Sequence, residues 1–252
     1  MGDIRLVVQG DDLGMCRAVN EGIERAATDG ILTQSSVMAP TPWFGEGAAM
    51  AKRIGLPVGL HVTFTCEWEY LRWGPLTGGS TLRAADGTQH RSVAAAKESI
   101  DPADAVTEAL AQADRAKAAG LDLTYVDPHM GVSIVDGYEA VCAREGLRFI
   151  YADERVSPHH DWASIIILSI GPMQDRAAWF ADQLEQIGPG THFVMAHPGV
   201  PGPELQALTD RDAPDSVWAE AFRKRDLEAL CAPEVRAVVD RRGIDLVAVK
   251  DL

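Results

Sequence analysis

The sequence predicts an α/β fold: a single distorted β/α (TIM-like) barrel with mainly parallel strands, occupying residues 1–252 as one domain. Short β-branched, apolar runs alternate with segments of helical period roughly seven or eight times, the pattern of a parallel sheet joined by crossover helices. No G-x-G-x-x-G follows any strand, which turns the choice from a doubly wound dinucleotide fold towards the barrel. The length of 252 residues suits one such barrel, and the composition has no break that would divide the chain.

Ile4–Gln9 reads as a buried strand that delivers Asp11 and Asp12 to its C-terminal end. Arg17–Asp29 follows as a helix, with Val19 and Ile23 at helical spacing and Gly30 as its stop. Gln34–Ala39 and Val58–Thr65 read as strands on either side of a helix over Gly45–Ile54, with Pro40, Pro42 and Pro57 at the joints. Asp101-Pro102 is an N-cap followed by proline at the first helical position, and an Ala-rich helix runs from there to Gly120. Further strands are expected at Leu123–Val126, Phe149–Tyr151, Ile165–Ile170, Thr191–Ala196 and Asp245–Val249. The helices between them are expected near Tyr138–Glu145, Asp175–Ile187, Ser216–Leu230 and Glu234–Arg242. The longest irregular stretch, about Cys66–Ser99, exceeds what a plain connection needs and is expected to be a functional loop.

A formal charge of −14 repels phosphate backbones and anionic lipid alike, so neither nucleic acid nor a membrane is expected as a partner. Cys16, Cys66, Cys142 and Cys231 form no C-x-x-C pair and read as ordinary reduced thiols. The N-terminus enters a strand pattern without a basic region or an apolar leader, and no apolar run reaches the ~18 residues of a spanning helix. A cytoplasmic location is expected, and the sequence is compatible with a homodimer.

In a β/α barrel the reactive groups lie just past the C-terminal ends of strands. Ligand-type residues stand at four such ends: Asp11 and Asp12 in Gly10-Asp-Asp-Leu-Gly14, His61 in Gly59-Leu-His-Val-Thr63, His129 in Asp127-Pro-His129, and His197 in His197-Pro-Gly199. One carboxylate and two imidazoles from separate strands, Asp12, His61 and His129, make a three-ligand set with positions open to water and substrate, as a catalytic divalent metal needs. Asp11 is then placed to take a proton from water, and Gly10 and Gly14 are expected to let both carboxylates face one site. His197 closes an apolar strand and could protonate a leaving amine. Each piece has an ordinary alternative: the Asp-Asp pair as a turn or helix cap, His61 as a core histidine, His197 as a cap. The loop and strand-start histidines His90, His159, His160 and His192 are expected to be solvated surface.

Together these segments resemble the YdjC-like carbohydrate deacetylase family, which includes chitooligosaccharide and hopanoid-associated deacetylases. The likeness extends to Val19-Asn-Glu-Gly-Ile23, Gly30-Ile-Leu-Thr33, Ser36-Val-Met38, Ala196-His-Pro-Gly199, Arg225-Asp-Leu-Glu-Ala-Leu230 and Gly243-Ile-Asp-Leu246, so it spans nearly the whole chain. It implies a divalent metal, Zn2+ or Mg2+, on Asp12, His61 and His129, with Asp11 as general base and Asp127 in support. The implied reaction is hydrolysis of the N-acetyl group of a small sugar substrate. It also implies that His197 lies near the site and that Arg225 braces the carboxylates. Where many family members carry D-x-H-x-H, Met130-Gly131 follow His129 here, so the second histidine is absent. The long loop offers Trp68, Arg72 and Trp73, which could stack on and hydrogen-bond a sugar or could simply pin the loop to itself. The same pieces also suit another metal hydrolase, such as a phosphoesterase or cyclic amidase, or a non-catalytic sugar- or metal-binding protein.

Overall fold

The computed structural model describes residues 3–132, 134–150, 162–208 and 219–252. In chain order the elements are β1 (Ile4–Leu13), α1 (Arg17–Thr28), β2 (Gln34–Val37), α2 (Phe44–Ile54) and β3 (Val58–Val62). A long connection ending in α3 (Val93–Ser99) leads to α4 (Pro102–Ala118), β4 (Leu123–Pro128), α5 (Val135–Glu145) and β5 (Ser164–Ile167). Then come α6 (Arg176–Gln186), β6 (Gly190–Ala196), α7 (Pro203–Ala207), α8 (Glu220–Leu230), α9 (Pro233–Arg242) and β7 (Asp245–Leu246).

All the strand pairs are parallel, in the order β4-β3-β2-β1-β6-β5, with β7 beside the start of β1. The sheet curls. Val7 of β1, Tyr125 of β4 and Phe193 of β6 share one apolar cluster with Ile150 and Val249, although β1 and β4 are separated by two strands in the sheet. Among the described residues no ladder joins β4 to β5. The strand expected at Phe149–Tyr151 is reduced to a bridge: Ile150 N–H donates to Val126 O at 2.8 Å and Val126 N–H to Arg148 O at 2.9 Å. Tyr151 lies outside the described residues, as do His159 and His160.

Side chains of a strand alternate between faces, and that period stacks the barrel interior in layers. Val7, Gln9 and Asp11 follow one another on β1, Tyr125 and Asp127 on β4, and Phe193, Met195 and then His197 on β6. The lower layer is apolar and the upper one, at the strand ends, is polar. Gly59 on β3 belongs to the lower layer because the Tyr125 ring takes up its side-chain space: a Cβ there would lie 2.1 Å from the ring. Two further core clusters fill the outside of the sheet, one beneath α1, α2, α4 and α5 and one beneath α6, α8 and α9.

Local signals act as the sequence anticipates. Asp101 caps α4 by accepting from Ala103 N–H at 2.8 Å, with Pro102 opening the helix. The long loop is tied to α4 by backbone hydrogen bonds. Glu108 of α4, fully buried, accepts from the backbone N–H groups of Leu76 (3.0 Å) and Thr77 (2.9 Å). α3 and α7, absent from the sequence expectation, are short helices of 7 and 5 residues, too brief to show a period. The four cysteines are free thiols. His90 and His192, expected on the surface, are buried. His90 Nε2 lies 2.9 Å from Thr81 O, and His192 is held between Ser164 Oγ (2.7 Å) and Gly188 O (2.9 Å). Backbone acceptors satisfy both rings, which is how a histidine enters a core.

Gly59→Ala is expected to lower stability by about 1–3 kcal/mol, because Tyr125 must leave its rotamer to admit one methyl group. Chemical denaturation checks this; an unchanged midpoint would contradict the close approach.

A candidate metal centre at the strand ends

Two successive strand residues normally face opposite ways, yet Asp11 and Asp12 both point into the barrel mouth. The register between β1 and β2 breaks between Gly10 and Leu13, and Asp12 itself adopts a left-handed φ of 72°. A bulge of this kind re-aims a side chain at a barrel rim, and Asp is among the few residues that tolerate the conformation. The expected role of Gly10 is therefore different: it is small because Leu32 would lie 2.6 Å from its Cβ, while the turn is made by Asp12 and by Gly14 at φ 95°.

The structure brings Asp12, His61 and His129 together, each with one donor atom within 4.8 Å of the others. Asp12 Oδ1 lies 3.5 Å from His61 Nε2 and 3.3 Å from His129 Nδ1. These are separations between ligand atoms that share an ion at about 2.0–2.2 Å. Asp12 Oδ1 is buried and accepts no hydrogen bond. A buried carboxylate oxygen without a donor is costly unless a cation faces it, so the residues fit a divalent ion. The outer nitrogen of each imidazole meets a second carboxylate: His61 Nδ1 lies 3.0 Å from Asp127 Oδ1, and His129 Nε2 lies 3.0 Å from Glu67 Oε2. Such partners fix the ring and turn its other nitrogen inward.

Asp11, His61 and Asp127 form a second cluster of metal-ligating types. Asp11 Oδ1 and Asp127 Oδ2 are already in use. The Gln9 amide donates to both Asp11 Oδ1 and Asp127 Oδ2, each at 2.7 Å, and Ser36 Oγ donates to Asp11 Oδ1 at 3.2 Å. Gln9 Oε1 accepts from Gln34 Nε2 at 2.8 Å, and Gln34 Oε1 accepts from the backbone N–H of Val249 at 2.8 Å. Because Val249 N–H can only donate, the chain of amides runs one way and presents two N–H groups to the carboxylates. This second cluster is the shell that holds the first.

Charge follows from that packing. Burial acts to raise the Asp12 pKa, but Arg223 and the imidazoles of His129 and His61 hold it well below the usual carboxylate range. Burial, with the charges of Asp127 and Asp12, pushes Asp11 up to about 7 even though His61 pulls the other way. Burial opposes charge on His61 and His129, yet the surrounding carboxylates win: His61 is raised well above its ordinary value and His129 to about 9. His197 Nε2 lies 3.7 Å from Asp11 Oδ2, and burial holds its imidazole down to about 3.

Arg225, expected to brace the carboxylates, is 42% exposed and pairs with Glu228 at 2.7 Å. The brace is Arg223, whose Nη2 donates to Asp12 Oδ2 at 2.7 Å and whose side chain is 1% exposed. Helical period explains the difference: Arg223, Asp226 and Leu230 share the inward face of α8, and Arg225 faces outward. The aromatic loop is likewise pinned to itself. Trp73 Nε1 donates to Thr65 O and Gln89 Oε1, both at 3.0 Å, and Arg72 Nη1 donates to Trp68 O at 3.0 Å. Trp68 is buried with the Arg223 guanidinium 5.9 Å above its ring. What the loop delivers to the site is Glu67, and the cleft of about 280 Å³ above the cluster is walled by Met130, Ile167, Ile170 and Met195. Glu67, Gln9, Ser36 and Arg223 are the site residues that sequence reasoning missed; only Gln9 and Arg223 had a signal, as polar residues at inward positions of a strand and a helix.

The family described as YdjC-like protein matches residues 5–241. A carbohydrate deacetylase of Thermus thermophilus is 29% identical, over 93% of this chain and 89% of its own. A carbohydrate deacetylase of Mus musculus is 28% identical, over 99% of this chain and 95% of its own. Among solved structures, one described as a cellobiose-phosphate cleavage protein of Enterococcus faecalis superposes with a TM-score of 0.81 at 19% identity, covering 99% of this chain and 98% of that one; it shares the fold.

Arg223→Gln is expected to cost about 3–5 kcal/mol of stability in metal-free protein, since it leaves the buried Asp12 charge uncompensated. Arg225→Gln is expected to stay within about 0.5 kcal/mol of wild type. Urea denaturation of the two variants side by side checks the assignment; equal effects would contradict it.

Proposed function

The chain belongs to the YdjC-like protein family, and on that premise we propose that it is a metal-dependent hydrolase that removes the acetyl group from an N-acetylated sugar. Full-length relatives named carbohydrate deacetylase support the substrate class. The observation that carries the chemistry is the donorless Asp12 Oδ1, set between two imidazoles with a second carboxylate, Asp11, alongside.

One divalent ion on Asp12, His61 and His129 supplies Lewis-acid polarisation of the acyl oxygen and acidifies water towards neutrality. Two imidazoles and one carboxylate suit zinc better than magnesium, which favours all-oxygen shells. Asp127 and Glu67 orient the two histidines, and Arg223 keeps Asp12 ionised and aimed.

Asp11, with its carboxyl pushed up to about 7 by burial, is poised to take the proton of the attacking water near neutral pH. His197, kept neutral by burial, turns Nε2 towards the cleft, 3.7 Å from Asp11 Oδ2, where it can accept a hydrogen bond from the scissile N–H. Asp11 then returns the proton to the amine nitrogen as the C–N bond breaks, so the water is divided between acetate and amine. Met130, Ile167 and Met195 wall the cleft and limit bulk water at the reacting bond. Among the described residues no helix is long and apolar enough to cross a membrane. The cleft is offered to a small neutral sugar.

Acetate release from N-acetylated mono- and disaccharides, measured with and without a chelator, tests this reading. Chelation is expected to abolish turnover; activity that survives a chelator would refute the metal. Asp11→Asn is expected to keep metal and lose at least about 100-fold in kcat, while His61→Ala loses both metal and activity. Wild-type turnover in Asp11→Asn would remove Asp11 from the base role.

Metal binding is expected to displace protons, because His129 carries one below about 9 in the ion-free protein. Affinity should therefore tighten as pH rises towards that value and level beyond it. Calorimetry in buffers of different ionisation enthalpy reads the protons released; none released near neutral pH would contradict the charge state assigned to the cluster.

A further inference from the structure

Behind His197, on the side away from Asp11, lies a second buried polar group that the reaction above does not use. The Asp226 carboxylate of α8 is fully buried and every contact it makes is with a donor. Arg176 Nη1 reaches Oδ1 at 2.6 Å, and Oδ2 accepts both the backbone N–H of His197 at 2.7 Å and the hydroxyl of Ser169. Ser169, also fully buried, sits in the tight turn after β5, and its Oγ lies 3.0 Å from His197 Nδ1.

Counting protons fixes the direction of this chain. Arg176 and the backbone N–H can only donate. A neutral Asp226 would leave the buried Arg176 guanidinium uncompensated, an expensive arrangement, so Asp226 is the carboxylate and the single Ser169 proton goes to it. Ser169 Oγ then has only lone pairs for the imidazole. His197 Nδ1 must carry the hydrogen, and the lone pair of the neutral ring is at Nε2, on the side of Asp11 and the cleft.

We propose that Ser169 is a positioning residue for the deacetylation assigned above: it receives the Nδ1–H of His197 and passes the hydrogen-bond direction to Asp226 and Arg176, so that the ring meets the cleft with Nε2 able to accept a hydrogen bond. The inference rests on that functional reading for its kinetic consequence, but the tautomer it assigns exists whether or not the protein releases acetate. In this arrangement the neutral His197 keeps its hydrogen at Nδ1 throughout the cycle, held by a hydroxyl whose own proton is held by a carboxylate.

Ser169→Ala in the full-length protein is the test, with Ser169→Thr as the variant that keeps the hydroxyl. Ser169→Ala is expected to lower kcat about 100-fold with KM and metal content unchanged, and Ser169→Thr to recover most of the loss. In a His197→Ala background the same substitution should cause no further loss; an additive loss there would reduce Ser169 to packing and overturn the proposal. Independently of activity, 15N-histidine spectra, with His197 assigned by its absence in His197→Ala, should show Nδ1 protonated and Nε2 bare in wild type, and a shift towards Nε2–H in Ser169→Ala. An Nε2–H ring in wild type overturns the proposal. A wild type with the assigned tautomer and no acetate release would fail the functional reading alone.

Discussion

The buried ion pair between Asp12 and Arg223 is the interaction on which the rest of the site depends. It joins the bulge near the start of the chain to a helix more than two hundred residues later, so the mouth of the barrel is assembled only when both ends of the fold are in place. Removing two charges from water is favourable only when each keeps its partners. Asp12 meets that condition on one oxygen with the guanidinium and on the other with the imidazoles of His61 and His129. The backbone at Asp12 is left-handed. Local strain of this kind persists only where the surroundings over-determine it, and it gathers at functional sites.

Around that pair the barrel is layered by the two-residue period of its strands. Val7, Tyr125 and Phe193 make the dry floor, Gln9 with Gln34 makes an amide layer, and Asp11, His61, Asp127 and His197 make the reactive rim. The amide layer sets the electrostatics of the rim. Its direction is set by a backbone N–H at Val249, so the C-terminal turn decides that two N–H groups, rather than two carbonyls, face the carboxylates. A buried polar network is stabilising in proportion to how well it is satisfied, and the run from Val249 N–H through Gln34 and Gln9 to Asp11 Oδ1 and Asp127 Oδ2 is hydrogen-bonded at every step.

Much of this was legible in the sequence. The α/β alternation, the capped helix at Asp101-Pro102 and the placing of Asp11, Asp12, His61 and His129 at strand ends follow from local pattern and a rule about where barrels keep their chemistry. The geometry that makes two adjacent aspartates face one point was not legible, because it depends on a register break between β1 and β2 that no residue announces. Arg225 stood out by likeness to a family, but the period of its own helix, read from Leu227 and Leu230, turns it outward and turns Arg223 in. Trp68, Arg72 and Trp73 looked like a sugar platform because aromatics in a long loop suit either role; the backbone carbonyls and Gln89 that claim Arg72 and Trp73, and the Arg223 guanidinium over the Trp68 ring, are set by tertiary contact. Glu67 hid in the same loop for the same reason.

The account turns on where a divalent ion sits. Anomalous diffraction from crystals grown with zinc is the most direct measurement. A single peak between Asp12 Oδ1, His61 Nε2 and His129 Nδ1 is the predicted result. A peak lodged between Asp11 and Asp127 instead, or no peak in the barrel mouth at saturating zinc, would contradict it.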